Sequence, residues 1–145
     1  MIRLKIDRIG IDSQEQSALI ILKDESGGRY LPVSIGGFEA QSIAMAVQGI
    51  RPARPLTHDL LKGMLDSLDV SVAMIIIDDL RDQVFYAQIT LNVDGRTIEV
   101  DSRPSDAIAL AVRANCPIFA LERVLVAAGV SEEEAGGQEE EPPLH

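Results

Sequence analysis

The feature that most limits how this chain can fold is an internal repetition. Ile43-Ala44-Met45-Ala46-Val47 is echoed by Ile108-Ala109-Leu110-Ala111-Val112. Each copy follows a strand, Leu31 to Ile35 in the first half and Thr97 to Asp101 in the second, entered through a glycine turn at Gly27-Gly28 or Asp94-Gly95. The offset is 68 residues at the turns (Gly27 to Gly95), 67 at the arginines behind them (Arg29 to Arg96) and 65 at the helices (Ile43 to Ile108). A register that drifts so little means one unit of hairpin, strand and small-residue helix used twice. Such a duplication has an approximate internal symmetry, which gathers equivalent loops and helix starts around a shared cleft or interface.

The strands of each unit follow from period-two patterning. Ile2, Leu4 and Ile6 alternate with Arg3, Lys5 and Asp7, and Ser17 to Lys23 is a more fully apolar strand. In the third strand Pro32 removes a ladder donor, which places it at a sheet edge or a bulge. The segment from Phe38 to Gln48 reads as a helix ended by Gly49. A linker with Pro52 and Pro55 follows and cannot be helical. Thr57 is placed to cap a middle helix whose Leu61, Met64, Leu65 and Leu68 form a core stripe, and this helix separates the copies. In the second copy Val70, Val72, Met74 and Ile76 lead into Asp78-Asp79, expected as hairpin-turn residues. Phe85, Ala87, Ile89 and Leu91 alternate with Tyr86, Gln88, Thr90 and Asn92, a strand with one wet or interfacial face. A short strand at Ile118 to Ala120 and a helix from Leu121 to Ala128 close the domain. The expectation is an α+β fold with a mainly antiparallel sheet, packed helices and a duplicated strand-strand-strand-helix unit.

Charge and cysteine usage narrow the function classes. With 46% hydrophobic residues the chain can build a real core. The net charge of −10 is misleading, because six of the 23 acidic residues are glutamates between Ser131 and His145; the remaining 17 face 13 basic residues. Residues 1–130 therefore read as one domain and 131–145 as a disordered acidic tail. A mildly acidic body with 3% aromatic residues lacks the basic footprint of a sequence-reading DNA binder and a base-stacking platform. No apolar run approaches the roughly 18 residues needed to span a bilayer, and Met1-Ile2-Arg3-Leu4-Lys5 alternates, so a cytoplasmic protein with no membrane partner is expected. The single cysteine, Cys116, excludes an internal disulfide and reads as a small core hydrophobe.

Phosphate loops, dinucleotide fingerprints, nucleophile elbows and paired-histidine zinc helices are all missing from the sequence. Three polar clusters remain. Arg54-Pro55-Leu56-Thr57-His58-Asp59 opens the middle helix, where free N–H groups, the dipole and Arg54 could hold a phosphate and His58 could move a proton. Equally, Thr57 is a cap, Asp59 complements the dipole and His58 is a solvated first-turn residue. Asp101-Ser102-Arg103-Pro104-Ser105-Asp106 offers two carboxylates and an arginine at another helix start, fit to coordinate a divalent cation while steering phosphate. Its structural alternative is a Ser105 cap with Arg103 paired to Asp101 or Asp106. The third cluster is Asp78-Asp79.

Four ordered motifs resemble the bifunctional nuclease family. They are Leu31-Pro32-Val33-Ser34-Ile35-Gly36-Gly37-Phe38-Glu39-Ala40, Arg54-Pro55-Leu56-Thr57-His58-Asp59-Leu60-Leu61, Ile77-Asp78-Asp79-Leu80 and Arg103-Pro104-Ser105-Asp106-Ala107-Ile108-Ala109-Leu110. The resemblance runs from about Ile2 to Ala128 and implies deoxyribonuclease and ribonuclease activity. A typical member has proline where this chain has Gly37, and the acidic tail lies outside the shared domain. The resemblance places Glu39, Arg54, Thr57, His58, Asp59, Asp78, Asp79, Arg103, Ser105 and Asp106 within family motifs. The chemistry of these residue types gives the expectation of a divalent-metal-assisted phosphodiesterase of little sequence preference, with Mg or Mn held by Asp106, Asp101 and Glu39. His58, Asp106 and Asp59 are its expected catalytic groups, and Arg54, Arg103, Thr57 and Ser105 its phosphate-binding ones. The competing reading is a non-enzymatic, homo-oligomeric binding or regulatory module, in which the same residues cap helices beside an anion- or partner-binding groove. A homodimer or higher oligomer is expected in either case.

Overall fold

A computed structural model of the chain describes residues 1–12, 14 and 17–137. Among them are seven strands and five helices in the order β1 (Ile2–Asp12), β2 (Ser17–Asp24), β3 (Tyr30–Gly36), α1 (Gly37–Val47), α2 (Thr57–Ser67), β4 (Ser71–Arg81), β5 (Val84–Val93), β6 (Arg96–Ser102), α3 (Pro104–Ala114), β7 (Ile118–Ala120), α4 (Glu122–Ala128) and α5 (Glu132–Gly137). The strands form one sheet ordered β3-β2-β1-β7-β4-β5-β6. Every pairing is antiparallel except that of β4 with β7. The α+β fold and mainly antiparallel sheet are as expected.

The duplication is written into that strand order. Three strands of one copy lie on one side of β7 and three of the other on the opposite side, each meander running outward to its edge. Because β7 is antiparallel to β1 and parallel to β4, the two halves run in opposite senses, as a twofold relation normal to the sheet requires. The short β7, outside both copies, closes the seam between them.

Local chemistry accounts for the turns and edges. Asp94 and Gly95 both have positive φ, 51° and 78°, the conformation of a two-residue hairpin turn. Pro32 lies on β3, an edge strand, opposite Ile21. That edge is partly closed: Tyr30 exchanges backbone hydrogen bonds with Val130 at 2.9 and 2.8 Å.

Four expectations need correcting. β4 continues through Asp78 and Asp79, with an irregularity between Ile77 and Asp79, and the turn falls instead at Asp82 and Gln83, both at positive φ. Asp79 is held by the Arg81 guanidinium, 2.6 Å away, and needs no turn to satisfy it. The acidic segment expected to be disordered begins with the helix α5, whose Ala135 packs into a small cluster with Ile21 and Tyr30; residues 138–145 lie outside the described part. The stripe on α2 is not core: Leu61, Met64 and Leu68 are exposed, and only Leu65 is partly buried against the core. Finally, β1 extends well beyond Asp7 through a bulge between Ile6 and Arg8.

The core lies between the sheet and the two small-residue helices. Ala40, Ile43 and Ala44 of α1 and Ala107 to Ala111 of α3 are buried against Ile75, Ile77 and Ala87. Burial on all sides explains why the middle of α3, Ala107 to Ala111, is apolar at every position. Its alanines let α1 and α3 approach closely, so a larger side chain there must displace backbone. Ala109→Leu is expected to destabilise the fold by about 1–3 kcal/mol, read as a lowered urea midpoint at unchanged slope.

Candidate functional site

Three helix beginnings open onto one cavity of about 640 Å³. Phe38, Glu39 and Ser42 come from α1, Thr57, His58 and Leu60 from α2, and Arg103 and Asp106 from the start of α3. The first and last sets occupy equivalent places in the two copies, and the middle one comes from the segment between them. Sequence separation alone left this convergence open.

The caps differ from those read in the sequence. Leu56, not Thr57, is the N-cap of α2, and the Asp59 carboxylate accepts its backbone N–H at 3.0 Å. Arg103, not Ser105, caps α3, with Pro104 at the first helical position where a missing N–H costs nothing. Thr57 thus faces the cavity as a first-turn residue, while Ser105 is buried and lines a neighbouring cleft instead.

His58 is not the solvated residue its position allowed. Only 7% exposed, it is held at both ring nitrogens, with Nδ1 2.6 Å from Ser42 Oγ and Nε2 2.7 Å from Asp106 Oδ1. The surrounding donors assign the tautomer. Arg113 Nη2 donates to Ser42 Oγ at 3.1 Å, so the Ser42 hydroxyl is free to donate its proton to Nδ1, and Nε2–H donates to the Asp106 carboxylate. Ser42, His58 and Asp106 form a serine-histidine-aspartate chain with one member from each helix.

Asp106 also accepts from Arg103, at 2.8 Å to Nε and 3.2 Å to Nη2. Burial pulls its carboxyl upward, but the hydrogen bonds from Arg103 and His58 outweigh that and hold it below the usual carboxylate range. Arg103 itself is two-thirds exposed at the mouth and lies 4.0 Å from Glu39. Beneath the cavity, Arg113 donates to Asp59 Oδ1 at 2.8 Å and to the Ser42 carbonyl at 3.3 Å, tying α3 to α2 and α1. The Arg113 hydrogen bond, then that from the Leu56 backbone, keeps the Asp59 carboxyl low.

Of the expected site residues, His58, Asp106, Arg103, Thr57 and Glu39 share the cavity. Arg54 is exposed one residue before the lining Pro55. Asp101 is on β6 opposite Gln88 and lines not the cavity but an adjoining groove with Leu61 and Val100, which shares Arg103 and Asp106 with it. The ligand set Asp106, Asp101 and Glu39 does not assemble: among the described residues no three His, Cys, Asp or Glu side chains are grouped to hold an ion. Asp106 is already committed to two cationic or N–H partners, so these residues do not fit a bound Mg or Mn as they stand. Ser42 and Arg113 went unnoticed in the sequence. Arg113 carries no local signal, since the side chains it pairs with are 54 and 71 residues away.

A duplicated α+β domain whose helix starts surround a small polar cavity is the class of protein defined here. Residues 20–133 match the family model of the bifunctional nuclease domain, and the chain belongs to that family. It is 38% identical over 137 residues to an uncharacterized protein of Mycobacterium tuberculosis, covering 91% of this chain and 82% of that one. Bifunctional nuclease 1 of Arabidopsis thaliana is 32% identical over 103 residues, which are 68% of this chain and 32% of the plant protein. Bifunctional nuclease 2 of Oryza sativa is 27% identical over 110 residues, 74% of this chain and 34% of the relative. The chain thus spans about a third of these plant proteins.

The Arg113 clamp gives the site its stability. Arg113→Met leaves the Asp59 carboxylate and the Ser42 carbonyl without their buried partner and is expected to cost about 3 kcal/mol in urea denaturation. Because folding lowers the Asp59 pKa, its contribution is complete above about pH 4 and is lost as the pH falls through the folded value. The stability gap between wild type and Asp59→Asn should therefore close on acidification below pH 4, not on alkalinisation.

Proposed function

We propose that this chain is a nuclease that hydrolyses phosphodiester bonds of DNA and RNA with little sequence preference. The observation that carries the reading is the convergence of Arg103 and the Ser42-His58-Asp106 chain on one cavity, in a member of the bifunctional nuclease family.

Arg103 spends Nε and Nη2 on Asp106 and has the rest of its guanidinium for a phosphate oxygen. The starts of α1 and α2 add N–H groups and dipole, and exposed Arg54 extends the positive rim. His58 is too enclosed to touch the substrate and acts through Ser42. As a water attacks phosphorus, it gives its proton to Ser42 Oγ while the Ser42 hydroxyl proton passes to Nδ1 of His58. Asp106 stabilises the imidazolium through Nε2–H. The reverse transfer protonates the leaving oxygen. No step here runs through a metal ion. The assay is made with a chelator and with added Mg or Mn, which separates any contribution of an ion from that of the side chains.

Cleavage of single-stranded DNA and RNA is expected from the purified protein. Arg103→Ala should lower kcat/KM by roughly 10²-fold, and His58→Gln by roughly 10²- to 10³-fold, with circular dichroism and urea midpoints confirming that both variants fold. Undiminished cleavage in both folded variants would sink the mechanism. The pairing of Asp106 and Asp59 with cations is also what a purely structural capping network shows. Oligonucleotide binding without turnover would leave the chain a binding module.

A further inference from the structure

The two edges of the sheet are treated differently. On β3, Pro32 removes a donor, Val130 pairs with Tyr30 and Ala135 of α5 packs against that residue. Among the described residues β6 has none of these covers: six of its seven residues are exposed and its outer ladder groups face solvent. Beside it runs a groove with an apolar wall of Leu61 and Leu65 of α2, Leu91 and Val100, which Asp101, Arg103 and Asp106 also line. Met64 and Leu68 continue the α2 wall outward at 55% and 70% exposure. A bare, regular strand edge next to an apolar helix face is what monomeric proteins avoid and interfaces use.

We propose that β6 and the outer stripe of α2 form the face through which a second copy of this chain docks, β6 pairing antiparallel with its counterpart about a twofold axis at Ile98. The charges along β6, together with the length of strand paired, select that register, since pairing about Thr97 meets no like charges but leaves most of β6 unpaired. Pairing about Ile98 sets Ile98 opposite itself, Thr97 opposite Glu99 and Arg96 opposite Val100, and no like charges meet. Pairing about Glu99 opposes two glutamates, and pairing about Val100 opposes Glu99 to Asp101. The twofold keeps Ile98 and Val100 on the helix side of a continuous sheet, where the two α2 stripes close over them. Glu99 and Asp101 on β6 and the apolar wall of α2 disfavour a polyanion as occupant, and the self-complementary register favours an identical chain over an unrelated protein. The proposal is tested by assembly alone and so stands apart from nuclease activity, although Arg103 and Asp106 line both the groove and the cavity at the helix starts.

Sedimentation velocity at micromolar concentration is expected to show a dimer in the wild type. Met64→Glu combined with Leu68→Glu, and separately Ile98→Lys, should raise the dissociation constant at least roughly tenfold, and these exposed positions leave the fold intact by circular dichroism. In a Cys116→Ala background, Ile98→Cys should form an intermolecular disulfide on mild oxidation, and Glu99→Cys should not. A wild type that stays monomeric, a dimer unmoved by both charge variants, or preferential cross-linking through Glu99→Cys would each overturn the proposal.

Discussion

Close approach of α1 and α3 is the constraint from which the rest of the structure follows. Ala40 and Ala44 on one helix and Ala107 and Ala111 on the other are four residues apart and buried, so each helix presents a smooth strip and the two can lie together over the sheet. Bulkier residues would hold the axes apart. The two copies meet through these helices above the sheet and through β7 within it. With the helices so close, Ser42 and Asp106 are separated by no more than one imidazole ring, and His58 is the side chain that fills the gap.

That bridging explains why a histidine and not a larger hydrophobe sits at the start of α2. A buried ring with two nitrogens needs two partners, and an unmatched one would carry a desolvation cost of about 1–3 kcal/mol. Ser42 and Asp106 supply them from opposite copies. The acids around the cavity obey the same rule, since Asp106 has Arg103 and His58, and Asp59 has Arg113 and the Leu56 N–H. Nearly all the site's carboxylate capacity is satisfied from within. This is why the expected metal ligands fail to gather, although they are residues of the right type near helix starts.

Much of the fold could be read along the chain because its causes are local. The Asp94-Gly95 turn, the edge position of Pro32 and the alternation in β5 each depend on a few neighbouring residues. The repetition was legible because both copies kept the same turn, arginine and alanine-rich helix. Readings failed where a distant partner decided the outcome. Asp78 and Asp79 look like turn residues until Arg81 is seen to satisfy the Asp79 carboxylate within the strand, while at Asp78 it is the backbone carbonyl that Arg123 reaches. Leu61, Met64 and Leu68 have the spacing of a core stripe, but α2 lies over the open end of the sheet, where none of the described residues buries them. Thr57 and Ser105 have good capping chemistry, yet each helix begins one or two residues earlier, where an aspartate side chain or a proline does the same work. Ser42 and Arg113 act only across long sequence distances, and no periodicity marks them.

The double engagement of Asp106 also ties the mouth of the cavity to the ring beneath it. Arg103 draws on both oxygens of Asp106, at 2.8 and 3.2 Å, so the carboxylate is shared between the guanidinium and His58 Nε2–H. Arg103 is exposed at that mouth, and an anion there would compete with the carboxylate for the same guanidinium. Were Arg103 to turn outward, Asp106 would keep His58 as its principal donor and the ring would stay between Ser42 and Asp106, so the site can trade one partner at its mouth without loosening the hydrogen-bonded chain behind it.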